Sequence, residues 1–588
     1  MAGVVTPRRM ASLRTLRWLA IATLFFATRA WALEVRQTLW GFDGRIVPGR
    51  FNPVSLLIAN PGAQPFDGEL LLDESRGLNV RDAEFAQPIY LAPHTERWVQ
   101  SVVFVREGSE YRVRWGRGPK DTADLPRPAP APPARVLLTD PTNPFSAAGG
   151  LRAFPDDLFP TSVAATDALD AVALDHEPRW EPARRAAFLD WLRRGGVVLL
   201  LRGVSGAFPE FSEGLAVLNV QGDSARIGAG TVLRHAATRR DASDALFTDR
   251  GFPPREWKKT NQAVIYDLEA TLFQRLASLT RPKIKWWMLN VLTLAYVALI
   301  GPLHYRWARK LDYRAAIALF VATVVLFGAL FAVVGRRGYG ESQTVHSLTI
   351  AHALGGGRCD TMQWISAFAI RGAIYDLTHV SPANYYSAVP QNDPVRGRIY
   401  GGREGRFLAD IPLYSARPFV HRAVMQGDDT SVEVEQWQTD GSELEQLALK
   451  PGPGFPQQVT SIQATYLNRV YAMERDGDRW VRKPGPWETI EHSLRKEILQ
   501  PLSYAMFDTG ENRSPDEKLR QLLPLLQARA IGGAEAFQQF LPERPLPADR
   551  LQLWIFARAP EGFRLHGQGF DRENGCVLYV QDVFQPRP

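Results

Sequence analysis

The chain has 588 residues, of which 45% are apolar and 22% charged, and carries a net charge of +7 at neutral pH. That charge is spread along the chain without a polybasic block, so it implies no nucleic-acid partner and favours only contact with anionic lipid headgroups. Two cysteines, with no CxxC, no HExxH and no zinc-ligand spacing, leave no metal or cofactor to expect.

At the N-terminus, Arg8, Arg9, Arg14 and Arg17 precede or flank an apolar stretch over 18–27, followed by Ala30-Trp31-Ala32. Basic residues, an apolar run and a small-x-small site make residues 1–32 a secretory signal peptide, with an uncleaved anchor as the alternative. Residues 33–116 then read as short strands. LEVRQTLW, PVSLLIAN, GELLLDE, PIYLAP, RWVQSVVFV and YRVRW are alternating or β-branched runs, separated by turn residues such as Asn60-Pro61-Gly62 and Asp67-Gly68. Their number and spacing suit a small immunoglobulin-like β-sandwich with Trp40, Phe51 and Trp98 in its core. Residues 117–134 contain PRPAPAPPA and read as a stiff, extended linker.

An α/β pattern occupies 135–280. RVLLTD and LDAVALD are strands. Pro182 opens a helix, PARRAAFLDWLRR, that Gly195-Gly196 ends, and VVLLL is a buried strand. Strand, helix and strand at this spacing form a right-handed crossover in a parallel sheet, whose ligands bind at the carboxyl ends of the strands. Those ends carry Asp140, Asp175 and Arg202-Gly203, with Ser205 just beyond.

Two runs without Asp, Glu, Lys or Arg follow, WWMLNVLTLAYVALIGPLHY over 286–305 and AAIALFVATVVLFGALFAVVG over 315–335. At about 1.5 Å per residue, roughly 20 apolar residues cross a hydrocarbon core of about 30 Å. They read as a transmembrane hairpin turning at 306–314. Gly301-Pro302 marks the end of the first span at the interface, with a hinge as the alternative. Asn290 is the one side-chain amide in either span, placed to bond across to the second helix or to a partner. A signal peptide and two spans put both large segments outside the cytoplasm. Charge asymmetry adds little, because Arg306, Arg309, Lys310 and Arg314 inside face Arg281, Lys283, Lys285, Arg336 and Arg337 outside.

Residues 340–588 are mostly strand-like, with helical stretches around TIEHSLRKEILQPL and DEKLRQLLPLLQARA, and read as a sandwich-rich β domain. Asp476-Gly477-Asp478 marks a hairpin. Trp364, Trp437 and Trp480 read as core, with a carbohydrate platform as the alternative. His346 and His352 share a strand face but lack a third ligand. Cys359 and Cys576 both lie in this outer segment, where disulfides are permitted, and are expected to pair with a Cα separation below about 7 Å; two separate buried thiols are the alternative.

Asp170-Ala171-Val172-x-Leu174, a helix, then Trp191-x-x-x-Gly195-Gly196 and an apolar strand resemble the class I glutamine amidotransferase-like fold, a flavodoxin-like α/β architecture. The resemblance implies a nucleophile elbow after that strand, with the catalytic cysteine at the position of Arg202 here. The thiolate is absent and Gly203-Val204-Ser205-Gly206 does not fit G-x-S-x-G, so the resemblance implies the fold and argues against the reaction. A wider resemblance, carried by GRIVPGRFNPV over 44–54, Ala295-Tyr296 and Gly301-Pro302-Leu303, is to uncharacterised bacterial envelope proteins that place such a domain before membrane spans. It implies a place in the bacterial inner membrane with both large segments in the periplasm, and, by analogy alone, association with an ABC transporter or similar machinery. The expected function is a non-enzymatic scaffold or accessory subunit. The alternatives are an envelope glycan-binding protein, or a hydrolase using Asp140, Asp175 or His176.

Overall fold

In the computed structural model the described residues are 33–586, except 76–82, 107, 119, 142–149, 213, 255–271, 278, 280–285, 335–341, 390–393, 491, 494–516, 518–521, 532–546 and 568. The proposed signal peptide lies outside them, as does most of the first helical stretch expected near the C-terminus. The protein is rich in β-structure, built on several sheets, and carries two long apolar helices.

The strands expected over 33–116 form, but they do not close into a sandwich of their own. Glu34–Trp40, Arg50–Asn60 and Thr95–Val105 make a three-stranded antiparallel sheet. Phe66–Ser75, Glu84–Leu91, Glu110–Arg114 and Thr122–Asp124 belong to a second sheet, which strands from beyond the hairpin complete: Gly397–Tyr400, Arg406–Ile411 and Ala373–Leu377. The junction is parallel, with Arg398, Ile399 and Tyr400 opposite Glu84, Phe85 and Ala86. Arg398 and Tyr400 also reach Glu69, at 3.0 and 3.1 Å. One core joins the two parts, with Trp40, Val54 and Phe85 packed in the same cluster as Tyr386, Phe407 and Phe419. The expected boundary at 116 is corrected accordingly: four N-terminal strands leave an open edge, and distant strands satisfy its hydrogen bonds.

The Pro-rich stretch is likewise no free spacer. Ala129–Pro130 pairs in parallel with Arg45–Ile46, Trp40 Nε1 donates to Pro126 O at 2.9 Å, and Leu125 and Ala131 are buried. Proline donates no hydrogen bond, but its carbonyl still accepts, and that is the side used here. The GRIVPGRFNPV segment is a joint. Buried Asn52 accepts from Val47 N and donates to the carbonyls of Val47 and Arg50, all at 2.8–2.9 Å, knotting a turn in which Gly49 takes φ +69°. Arg152 of the α/β part donates to Asp43 O at 2.7 Å, and Arg529 of the C-terminal helix Leu523–Ile531 donates to Gly49 O.

The α/β sheet has the order Arg152–Pro155, Ala134–Thr139, Leu169–Leu174, Val197–Arg202, Gly230–Thr238, Ser224–Ile227; the first five strands are parallel and the last is antiparallel. Its helix, Pro182–Arg193, begins on proline and stops where Gly195 adopts φ +122°. The W-x-x-x-G-G spacing has a steric reason. A Cβ on Gly196 would sit 2.5 Å from the ring of Trp191, which is buried and donates to Leu169 O at 3.1 Å.

The third body is a long sheet whose inner strands are Ser415–Gln426, Arg358–Ala369, Thr344–Gly355, Arg572–Phe584 and Arg550–Arg558. The expected disulfide is corrected here. Cys359 and Cys576 sit on the two strands flanking Thr344–Gly355, opposite Ala353 and Leu348 respectively. Five residues along that strand and two strand spacings across it put them about 17 Å and about 10 Å apart in the two directions, beyond disulfide reach. Both are buried and are not bonded to each other. Trp364 is fully buried, and Trp437 and Trp480 pack against a core cluster.

Trp287–Ala308 and Tyr313–Val334 are long and apolar enough to cross a membrane. They meet through Tyr296 against Phe327 and Phe331, and His304 against Phe320. The first does not end at Pro302. A π-turn over Leu299–Leu303 takes up the proline, and the helix resumes to Ala308, leaving a turn of 309–312. The wider turn removes the need for the amide that proline lacks. Asn290 is exposed rather than packed on the second helix. At about 100° per residue it lies roughly 120° round from Tyr296, the contact side.

Candidate functional site

The carboxyl ends of the parallel strands bring together four charged side chains. Asp175 and His176 follow Leu169–Leu174, Asp156 opens a 3₁₀ turn after Arg152–Pro155, and Arg239 opens another after Gly230–Thr238. Arg239 grips Asp175 with two parallel bonds, Nε to Oδ2 and Nη2 to Oδ1, both 2.8 Å. His176 bridges the two carboxylates, with Nδ1 2.9 Å from Asp175 Oδ1 and Nε2 3.2 Å from Asp156 Oδ2. Trp180 Nε1 donates to Asp156 O at 2.7 Å and fixes the turn beneath.

The electrostatics follow from this geometry. Burial by itself would raise the Asp175 carboxyl, but hydrogen bonds from His176 and Arg239, with their charges, outweigh it and bring its pKa to about 2. Burial would likewise lower His176; bonds and charges from Asp156 and Asp175 outweigh that and raise it to about 9. His176 is therefore an imidazolium at neutral pH, donating from both nitrogens. Two carboxylates and two cations neutralise one another, and the imidazole holds no lone pair for a general base at that pH.

This carries a pH prediction. A folded-state pKa above the ordinary 6.5 contributes stability that is complete below pH 6.5 and lost as pH rises through about 9. The depressed Asp175 contributes above the ordinary carboxylate value and loses that contribution as pH falls towards 2. The melting temperature is expected to decline between pH 6.5 and 9, and His176→Asn should flatten that decline. A wild-type profile as flat as the variant's in that window would contradict the arrangement.

Of the residues expected at the strand ends, Asp175 and His176 belong to this cluster by direct contact. Asp140 acts on Arg239 through its charge. Arg202, at the position the resemblance gives to the catalytic cysteine, is exposed at the end of its strand and stands over the ring of Phe208, 5.8 Å away. Alternation puts Arg202 on the same face as buried Val198 and Leu200, so its exposure comes from its place at the strand end, past the point where the core covers that face. Ser205 sits on an exposed turn closed by Gly203 N to Ala207 O at 2.9 Å, and its hydroxyl accepts from Ala207 N at 3.4 Å. Arg239 and Asp156 were not anticipated; both lie in short 3₁₀ turns with no motif to mark them.

A second, largely buried cluster joins the α/β part to the long sheet. Arg422 contacts Asp167 at 2.9 Å and Asp360 at 2.6 Å, and Arg194 contacts both carboxylates at 2.8 Å. His346 and His352 lie on one strand, each pushed by burial to about 4. Among the described residues no group of three His, Cys, Asp or Glu side chains could hold a metal ion.

No family model matches the chain. No curated protein matches it either. Solved structures similar to it include a cycloisomaltooligosaccharide glucanotransferase from Paenibacillus sp., at 8% identity and a TM-score of 0.16 over 78% of this chain and 98% of that one. Another is a trypsin-activated alpha-2-macroglobulin from Escherichia coli, at 10% identity and a TM-score of 0.12 over 72% of this chain and 42% of that one. A third is a beta-glucuronidase from glycoside hydrolase family 2, at 9% identity and a TM-score of 0.13 over 96% of this chain and 64% of that one. Overlaps this loose carry no argument about fold or activity.

Proposed function

We propose that the chain is a non-enzymatic, membrane-anchored scaffold or accessory subunit of the bacterial envelope, with its large body in the periplasm. The observation that carries this reading is the sheet shared across the hairpin. Segments hydrogen-bonded strand to strand, Glu84–Leu91 with Gly397–Tyr400, cannot lie on opposite sides of a bilayer. Two antiparallel helices between them return the chain to the side it left. The N-terminal Arg-rich apolar segment assigns that side to the exterior.

The α/β part is read as a class I glutamine amidotransferase-like, flavodoxin-type domain that has lost its chemistry. The parallel order, with the second strand outside the first and the later strands on the other side, supports the fold. The mutually satisfied Asp156, Asp175, His176 and Arg239 support a structural role for the former cleft. The outward Asn290 supports a helical partner in the membrane, since an amide facing lipid is costly and is relieved by a bond across a helix pair. A transporter-type complex fits that requirement.

Alkaline phosphatase fused after residue 270 or after residue 345 should be active, and inactive when fused within the 309–312 turn. Cytoplasmic behaviour of either outer fusion overturns the placement. A photo-crosslinking residue at Asn290 should capture a membrane protein that the same probe at Tyr296, on the intramolecular contact side, does not; capture equal at both positions removes the partner.

A further inference from the structure

Large apolar side chains are exposed at one end of the long sheet. Residues 370–372 lead from the strand Arg358–Ala369 into the edge strand Ala373–Leu377, which holds Ile374, and residues 412–414 lead into Ser415–Gln426. Ile374 is 72% exposed and Leu413 62%. The two connections touch, since a Cβ on Gly372 would lie 3.1 Å from Leu413 N. Tyr414 adopts φ +51°, a conformation that side chains rarely take, and this turns the chain sharply so that Leu413 stands at the tip.

The end of the sheet at which they lie is fixed by register. Thr344 pairs with Phe368, Phe368 with Ala416, and Ala369 with Ser415. Thr344 opens the first strand after the second apolar helix, which ends at Val334. Tyr375 OH lies 2.8 Å from both Gln343 Oε1 and Arg371 O, so the apolar tip is bonded to the segment arriving from that helix. Nine residues from Val334 to Gln343 span at most about 32 Å. The opposite end of the sheet, at Gly355, lies roughly 40 Å from Thr344 along a twelve-residue strand. Exposed Arg371 and Arg572 flank the tip on the same strand ends, and guanidinium groups are suited to meet lipid phosphates.

We infer that Ile374 and Leu413 form a membrane-seating tip: they enter the outer headgroup and upper acyl region of the bilayer crossed by the two helices, with Arg371 and Arg572 at the phosphate level. The inference rests on the membrane reading of those helices. It gives the body a fixed standing orientation, because it adds a third point of contact with the bilayer to the two connections that join the body to the helices. Interfacial seating of this kind scales with buried apolar area and attraction to anionic lipid.

The test uses the full chain with Cys359→Ala and Cys576→Ala, reconstituted in phosphatidylethanolamine–phosphatidylglycerol vesicles. Single cysteines replace Ile374, Leu413, Leu326 and Ser442 in turn, and each carries an environment-sensitive fluorophore. Leu326 lies in the second apolar helix and Ser442 in an exposed turn of the far hairpin. Lipids brominated on the acyl chain should quench Leu326 most, Ile374 and Leu413 clearly, and Ser442 least. Quenching at 374 and 413 no greater than at 442, with 326 quenched, overturns the tip and leaves the spans standing. A probe at 326 that is not quenched overturns the membrane reading itself. Protection of 374 and 413 from both brominated lipid and aqueous iodide would mean that another protein, or a second copy, covers them, and also overturns the proposal.

Discussion

Asp360→Ala is expected to cost about 3–5 kcal/mol of stability, the range for removing one member of a buried charge network. The Asp360 side chain has no exposed surface, and Arg422 has 4%. The substitution leaves two guanidinium groups, Arg422 and Arg194, facing Asp167 alone, with Arg422 in an interior that does not solvate it. Asp167 already shows how strong the joint is: burial would raise its pKa, yet the charges of Arg422 and Arg194 hold it far below the carboxylate range. Being depressed, it stabilises the fold above its ordinary value and loses that contribution only in acid. Asp124→Ala is the matched control. Its partner Arg112 lies 2.6 Å away, but the side chains are 54% and 76% exposed, so a change of about 0–1 kcal/mol is expected. Equal melting temperatures for the two variants would show that the α/β part does not seat on the long sheet through these residues.

A fragment of residues 33–134 should fail to fold. Alone it would expose the edge Glu84–Leu91 and lose Tyr386, Ile399, Phe407 and Phe419, which fill the core beside Trp40, Phe85 and Ile89. An open apolar edge of this kind pairs with other chains, so aggregation and rapid proteolysis are expected. Joining residues 33–277 to 342–586 by a short linker in place of the hairpin should restore a protease-resistant, cooperatively melting body. A monomeric 33–134 fragment with a sharp thermal transition would show instead that the N-terminal strands are self-sufficient.

Local patterns account for what could be foreseen. The six N-terminal strands, the helix between Pro182 and Gly195, the hairpin turning at Gly477-Asp478 and the two apolar helices each carry their own signal in alternation, capping or length. Asp175 could be placed because the end of a parallel strand is a position that periodicity defines. His176 came with it as its chain neighbour, but Arg239 could not be foreseen: it is 64 residues away in a three-residue turn, and the bond depends on how two loops fold back over the sheet. Arg202 misled for the same reason, since the amidotransferase-like spacing marks its position in the chain and says nothing of the direction its side chain takes.

The sequence by itself determined the secondary structure of most described strands, the two helices fit to cross a membrane and the absence of a cysteine where the resemblance called for one. These are local properties, set by side-chain periodicity, proline and glycine backbone limits and residue identity. Only the tertiary structure decided which strands share a sheet, that the Pro-rich stretch is strapped to Arg45–Ile46, that Cys359 and Cys576 stand on opposite sides of an intervening strand, and that Asp167 and Arg422, 255 residues apart, meet in the interior. Pairing across such distances is chosen by which open edge and which buried charge lacks a partner. That is a property of the assembled chain, and no window of residues contains it.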